Sequence, residues 1–249
     1  MSQLPVAPLD FSAALDRLDR ATQRFAAAAD RVRDWSAPVP TCPGWTARTL
    51  VIHVGLIHTW AASAIGAAHA PEDPPFENDG SPLPEWYRGR ASALLAALRE
   101  AGPEAPAWTL WGDRVAAFWA RRQFHETAVH EFDLASALAA GAGDPVPWSI
   151  PDDLAIDGLR EVLSGFYPRQ VRLGRTPGLP AVVRFEVRTD DGETVATLDA
   201  PAFGGEDGPV LGIVAGTARE LYLAVWGRGE FPGASPELVE TIRGTKLTP

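Results

Sequence analysis

Cysteine is nearly absent from the chain. Cys42 stands alone among 249 residues, so no intramolecular disulfide can form, and the usage suits a reducing cytoplasm. Lysine is as scarce: Lys246 is the one lysine among 22 basic residues, the rest being arginine. With abundant alanine, proline, glycine and tryptophan, that bias points to a very GC-rich genome, such as an actinobacterial one. Clustered positive charge is missing too. A formal net charge of -10 without any basic run argues against a nucleic-acid partner. No stretch approaches the roughly 18 uninterrupted apolar residues of a membrane span. The opening Met-Ser-Gln-Leu-Pro has neither the charged start nor the apolar run of an export signal. These absences predict a cytoplasmic protein that binds neither nucleic acid nor membrane.

What is present is helical periodicity. Phe11, Leu15, Leu18, Phe25, Val32 and Trp35 form an apolar stripe that ends at the breaks Ala37-Pro38 and Val39-Pro40. A second helix is expected after Cys42-Pro43-Gly44-Trp45, with Thr46 as its N-cap and an end near Ala68. Residues 71–84 hold five prolines and read as a loop or lid. A third helix is expected over about 85–101 and a fourth over about 113–140. Four amphipathic helices with such connections predict a bundle whose facing side chains can build a metal site. The loop Gly141 to Pro151 closes that unit. Beyond it come a helix near 152–167, strands near 182–187, 193–199 and 210–215, and helices near 217–226 and 236–243, with Asp190-Asp191-Gly192 as a hairpin turn. The expected fold class is α+β, with a four-helix bundle at 1–150 and a small α+β domain at 151–249.

The most informative segment runs from Arg121 to Asp133. Glu126 and His130 are four residues apart, so a helix places them on one face. That face is also a core stripe, with Val115, Trp119, Arg122, Val129, Asp133 and Ala137. Burying the pair there is costly unless something neutralises it, and a metal ion would serve both. His125 and His130 stand five apart, about 140° around a helix, so the pair cannot form the His-Glu-x-x-His zinc motif. A third ligand must come from another helix. His53 is the best candidate, because it shares the stripe Leu50, Val54, Ile57 and Trp60; His58 points elsewhere and His69 sits at a loop edge. A His-Glu-His set leaves a coordination position open, as catalytic zinc sites do. Asp133, one turn past His130, is placed to orient that ring by a hydrogen bond. Cys42 reads as structural, and Trp45 as packing at the start of the second helix. From spacing alone, a satisfied core polar cluster stands beside the metal reading.

The segments Thr41-Cys42-Pro43-Gly44-Trp45-Thr46, Leu50-Val51-Ile52-His53-Val54 and Arg121 through Leu134 resemble the mycothiol-dependent maleylpyruvate isomerase family, part of the wider DinB-like group of four-helix metalloproteins. Leu221-Tyr222-Leu223-Ala224-Val225-Trp226-Gly227-Arg228 resembles the end of that family's C-terminal domain. The resemblance implies metal ligands at His53, Glu126 and His130, a divalent ion, typically zinc, and mycothiol as the thiol cofactor. It also maps the family's active-site arginine onto Arg228, a catalytic candidate. Thr49, where the family often has an acidic residue, and the proline-rich segment 71–84 depart from the pattern. The implied activity is addition of a metal-activated thiolate to a small electrophile, as a maleylpyruvate-type cis–trans isomerase or an S-transferase. A metal-dependent hydrolase and a non-catalytic metal-binding regulator are the alternatives.

Overall fold

A computed structural model describes residues 10–140, 146–203 and 208–249. The opening Met-Ser-Gln-Leu-Pro and residues 141–145 of the expected closing loop lie outside them. The described residues divide into two compact units, one ending at Trp148 and one running from Ser149 to Pro249.

The first unit is built from α1 (Phe11–Asp30), α2 (Ala47–Ser63), α3 (Leu83–Ala101) and α4 (Ala117–Ala139). α1 packs on α3 and α4, and α2 packs on the same two, so the order around the bundle is α1, α3, α2, α4. The apolar stripe of α1 supplies Leu15, Leu18, Phe25 and Ala29 to the core. The helix ends at Asp30, before Val32 and Trp35, which pack from the following turn. Thr46 caps α2 as expected, its Oγ1 accepting from the Thr49 amide at 3.2 Å. α2 stops at Ser63 rather than near Ala68, because the backbone there pairs elsewhere: the Gly66 amide donates to the Pro106 carbonyl at 2.7 Å. α4 likewise begins at Ala117, four residues later than its periodicity suggests, since Val115 bridges to Pro106.

Two contacts lock the bundle. Gly55 on α2 lets the Trp86 indole of α3 come so close that an added Cβ would stand 2.3 Å from the ring. His58 ties three helices together. Its Nδ1–H donates to Gln123 Oε1 at 2.7 Å, and its Nε2 accepts from the Tyr87 hydroxyl at 3.3 Å. Burial pushes the His58 imidazole down to about 4, because a cation there would lose its hydration.

The second unit starts with α5 (Asp152–Glu161), a π turn over Val162–Phe166 and α6 (Tyr167–Arg172). The helical path thus continues past Tyr167, and the π turn lies just before Pro168, which lacks the N–H that a regular α-helical bond would use. β1 (Val182–Arg188), β2 (Thr194–Ala200) and β3 (Val210–Gly216) form one sheet in the order β2-β1-β3, β2 antiparallel and β3 parallel to β1. Gly192, at φ +88°, turns the β1–β2 hairpin as the Asp-Asp-Gly sequence predicts. Val183, Phe185 and Val187 face inward. α7 (Ala218–Val225) opens on a capping box of Thr217 and Glu220, and α8 (Pro236–Thr245) closes the chain. The expected α+β class and its helical first unit are what the structure has. Among the described residues no helix is long and apolar enough to cross a membrane.

Two measurements test this packing. Gly55→Ala gains up to ~1 kcal/mol of helix propensity and loses about 1–3 kcal/mol to overpacking, so urea denaturation should show a net loss. The buried His58 gives a pH signature. The unfolded chain takes up a proton near pH 6.5 and the folded one near 4, so between these values the unfolded state binds more protons. Stability should therefore fall as pH drops through that window, by about 2–3 kcal/mol in total. His58→Gln should flatten the dependence of unfolding free energy on pH, and equal slopes in both proteins would refute this account.

Candidate metal centre

His53 projects from α2, and Glu126 and His130 project from the neighbouring α4. The i, i+4 spacing on α4 brings His130 Nε2 to 3.2 Å from Glu126 Oε1. From across the interface His53 Nε2 reaches the same oxygen at 3.3 Å. One donor atom from each of the three residues lies within 4.8 Å of the other two. Donors about 2.0–2.2 Å from a tetrahedral zinc stand roughly 3.3 Å apart, so these separations suit such an ion. The side chains of His53, Glu126 and His130 are 25%, 15% and 9% exposed, so the cluster meets solvent on its His53 side, where a fourth ligand could enter.

The remaining atoms of these ligands are occupied. Glu126 Oε2 is ion-paired with Arg122, one turn earlier on α4 and buried. Burial alone would raise the Glu126 carboxyl, but Arg122 and the two imidazoles outweigh it and hold it well below the usual carboxylate range. His130 Nδ1–H donates to Asp133 Oδ2 at 2.8 Å, so its Nε2 keeps a lone pair for a metal. Burial disfavours a charged His130 ring, yet Asp133, Cys42 and Glu126 together raise it well above the ordinary histidine value. The pocket therefore attracts positive charge at this ring, which a proton or a metal cation can supply.

The sequence candidates separate cleanly. His53, Glu126 and His130 come together, and Asp133 sits on His130 as its spacing implies. His58 and His125 are buried elsewhere in the bundle. Trp45 does more than brace the start of α2: its ring lies 4.7 Å from that of His53 and 6.1 Å from that of His130. Arg122 was visible only as a member of a core stripe; its i, i+4 relation to Glu126 was the available signal for an ion pair. Cys42, His130 and Asp133 form a second trio within 4.8 Å. Its contacts are those of a carboxylate accepting from Cys42 Sγ at 3.2 Å and from the His130 ring. Arg228 follows α7 in the second unit, where its guanidinium donates to the Trp226 carbonyl at 2.6 Å.

Comparisons with known proteins converge on one group. Residues 15–135 match the profile of the mycothiol maleylpyruvate isomerase N-terminal domain. Among curated proteins none shows significant similarity. A crystal structure of the mycothiol-dependent maleylpyruvate isomerase superposes with a TM-score of 0.60 at 17% identity, over 92% of this chain and 93% of that one. A histidine-to-alanine mutant of the mycothiol-dependent maleylpyruvate isomerase gives 0.61 at 16% identity, with the same coverage. Residues 15–135 thus resemble the mycothiol maleylpyruvate isomerase N-terminal domain, and the chain has the fold of the solved isomerases.

Proposed function

We propose that this protein is a divalent-metal, mycothiol-dependent enzyme acting on a small electrophile, either as a maleylpyruvate-type cis–trans isomerase or as a thiol S-transferase. The observation that carries the reading is the shared focus of His53 Nε2 and His130 Nε2 on one oxygen of Glu126, at 3.3 and 3.2 Å, in a bundle of this family. His53, Glu126 and His130 would hold the ion, most naturally zinc given two imidazoles and one carboxylate. A metal and mycothiol bound there would supply a sulfur nucleophile at neutral pH, since a nearby cation favours thiolate over thiol.

The chain's own residues do the positioning. Arg122 keeps Glu126 ionised and occupies its second oxygen, which leaves a single oxygen for the ion and so favours an open fourth position. Asp133 holds the proton on His130 Nδ1 and thereby fixes which nitrogen faces the ligand. The Trp45 ring packs edge-on beside His53 and roughly parallel to His130. Arg228 is the catalytic candidate of the second unit, a guanidinium of the kind that pairs with carboxylates by charge-assisted hydrogen bonds. The solitary buried thiol and the absence of basic runs fit a cytoplasmic enzyme of small molecules.

Metal analysis of the purified protein should find about one zinc-class ion per chain, and His53→Ala and Glu126→Ala should each remove most of it. Undiminished content in both variants would sink the site. Incubation with mycothiol and candidate electrophiles, read by mass spectrometry and NMR, separates the two reactions. Isomerised product with no net thiol consumption marks an isomerase, and a stable thiol conjugate marks a transferase. Turnover that ignores the thiol would overturn the reading in favour of a hydrolase, and metal binding with no turnover would favour a regulator.

A further inference from the structure

The turn between α1 and α2 carries contacts that the ligand set does not require. Thr41 Oγ1 donates to Asp133 Oδ1 at 2.6 Å, and Cys42 Sγ donates to Asp133 Oδ2 at 3.2 Å, across 92 and 91 residues of sequence. Asp133 is fully buried, and Oδ2 also accepts Nδ1–H of His130 at 2.8 Å. The turn itself is held firmly. The Val39 amide donates to Trp45 O at 2.9 Å, Cys42 to Val39 O at 3.0 Å, Trp45 to Cys42 O at 3.0 Å and Ala47 to Ala37 O at 2.9 Å. Gly44 takes the φ of +83° that closes it. Trp45, on the same turn, contacts the rings of both His53 and His130.

Building on the metal-site reading above, we propose that Thr41 is a positioning residue for the ion, acting through Asp133 on His130, with Cys42 as its weaker partner. A carboxylate held only at Oδ2 can rotate about its Cβ–Cγ bond and carry the imidazole with it. The Thr41 hydroxyl on Oδ1 fixes the carboxylate plane, so the line from Asp133 through Nδ1 to Nε2 is set before an ion arrives. Rigidity is then delivered to the ligand from a turn outside α4. Thr41 should matter more than Cys42, because an O–H donor at 2.6 Å is stronger than a thiol at 3.2 Å. Losing an outer partner of a ligating histidine typically costs about 10–100-fold in metal affinity.

The test titrates the full-length, metal-free protein with zinc and with cobalt(II) against a chromophoric chelator. Thr41→Val, of nearly equal volume, should bind both ions ~10-fold or more weakly, while Thr41→Ser restores affinity to within about threefold of wild type. Thermal unfolding of the metal-free proteins gives the structural cost of the lost donor separately: the Thr41→Val midpoint should fall by several degrees and recover in Thr41→Ser, and affinities are compared well below both midpoints, where each protein is folded. Wild-type affinity in Thr41→Val would overturn the proposal. If that variant does not fold, Cys42→Ala is read instead, with a loss of about threefold expected and no loss overturning it. A sulfur-to-cobalt charge-transfer band that disappears in Cys42→Ser would also overturn it, because Cys42 would then be a ligand. Failure of the wild-type protein to bind either ion overturns the metal site itself, a different result from equal affinities in wild type and Thr41→Val.

Discussion

A carboxylate set into the wall of a helical bundle has to be neutralised, and the polar arrangement around Glu126 follows from that requirement. One oxygen is met by the buried guanidinium of Arg122, the other by two imidazoles. Leaving the buried Arg122 without its carboxylate would cost several kcal/mol, whereas the imidazole side of Glu126 opens toward solvent. Because Arg122 and Glu126 share α4, the helix brings its own counter-ion, and only the second oxygen looks to a neighbouring helix. That division sets the direction in which the cluster opens. Asp133, a second buried carboxylate three residues past His130, faces the same demand and meets it with donors from a turn far away in sequence.

Much of this was legible in the sequence because it is written in helical spacing. Glu126, His130 and Asp133 fall on one face at intervals of four and three, and His53 sits on the apolar stripe of its own helix. The same arithmetic separated His125 from the cluster. The bundle and the α+β remainder were likewise visible as a change of hydrophobic period near Val182. Where the reading erred, backbone pairing outside the helices decided the matter. The periodicity of α2 runs on past Ser63, but Gly66 and Ile65 bond to the strand-like stretch around Pro106 and Ala107 instead.

Contacts between distant segments were not legible. Nothing in Thr41-Cys42 announces Asp133 as their acceptor, since a threonine and a cysteine in a Pro-Gly turn have many local uses. Trp45 read as a brace for its own helix, because sequence gives the helix that a tryptophan precedes and not the rings it will meet. Arg122 shows an intermediate case. Its relation to Glu126 is local and computable, yet an arginine on an apolar stripe looks like an interruption until the charge it answers is identified.

The bundle also divides labour along the chain. Among the described residues, every group named at the candidate centre, from Thr41 through Asp133, comes from the unit ending at Trp148. The side chains of the candidate centre are therefore all specified before Trp148. One contiguous stretch of sequence, from Thr41 to Asp133, thus encodes both the candidate ligands and the groups that orient them.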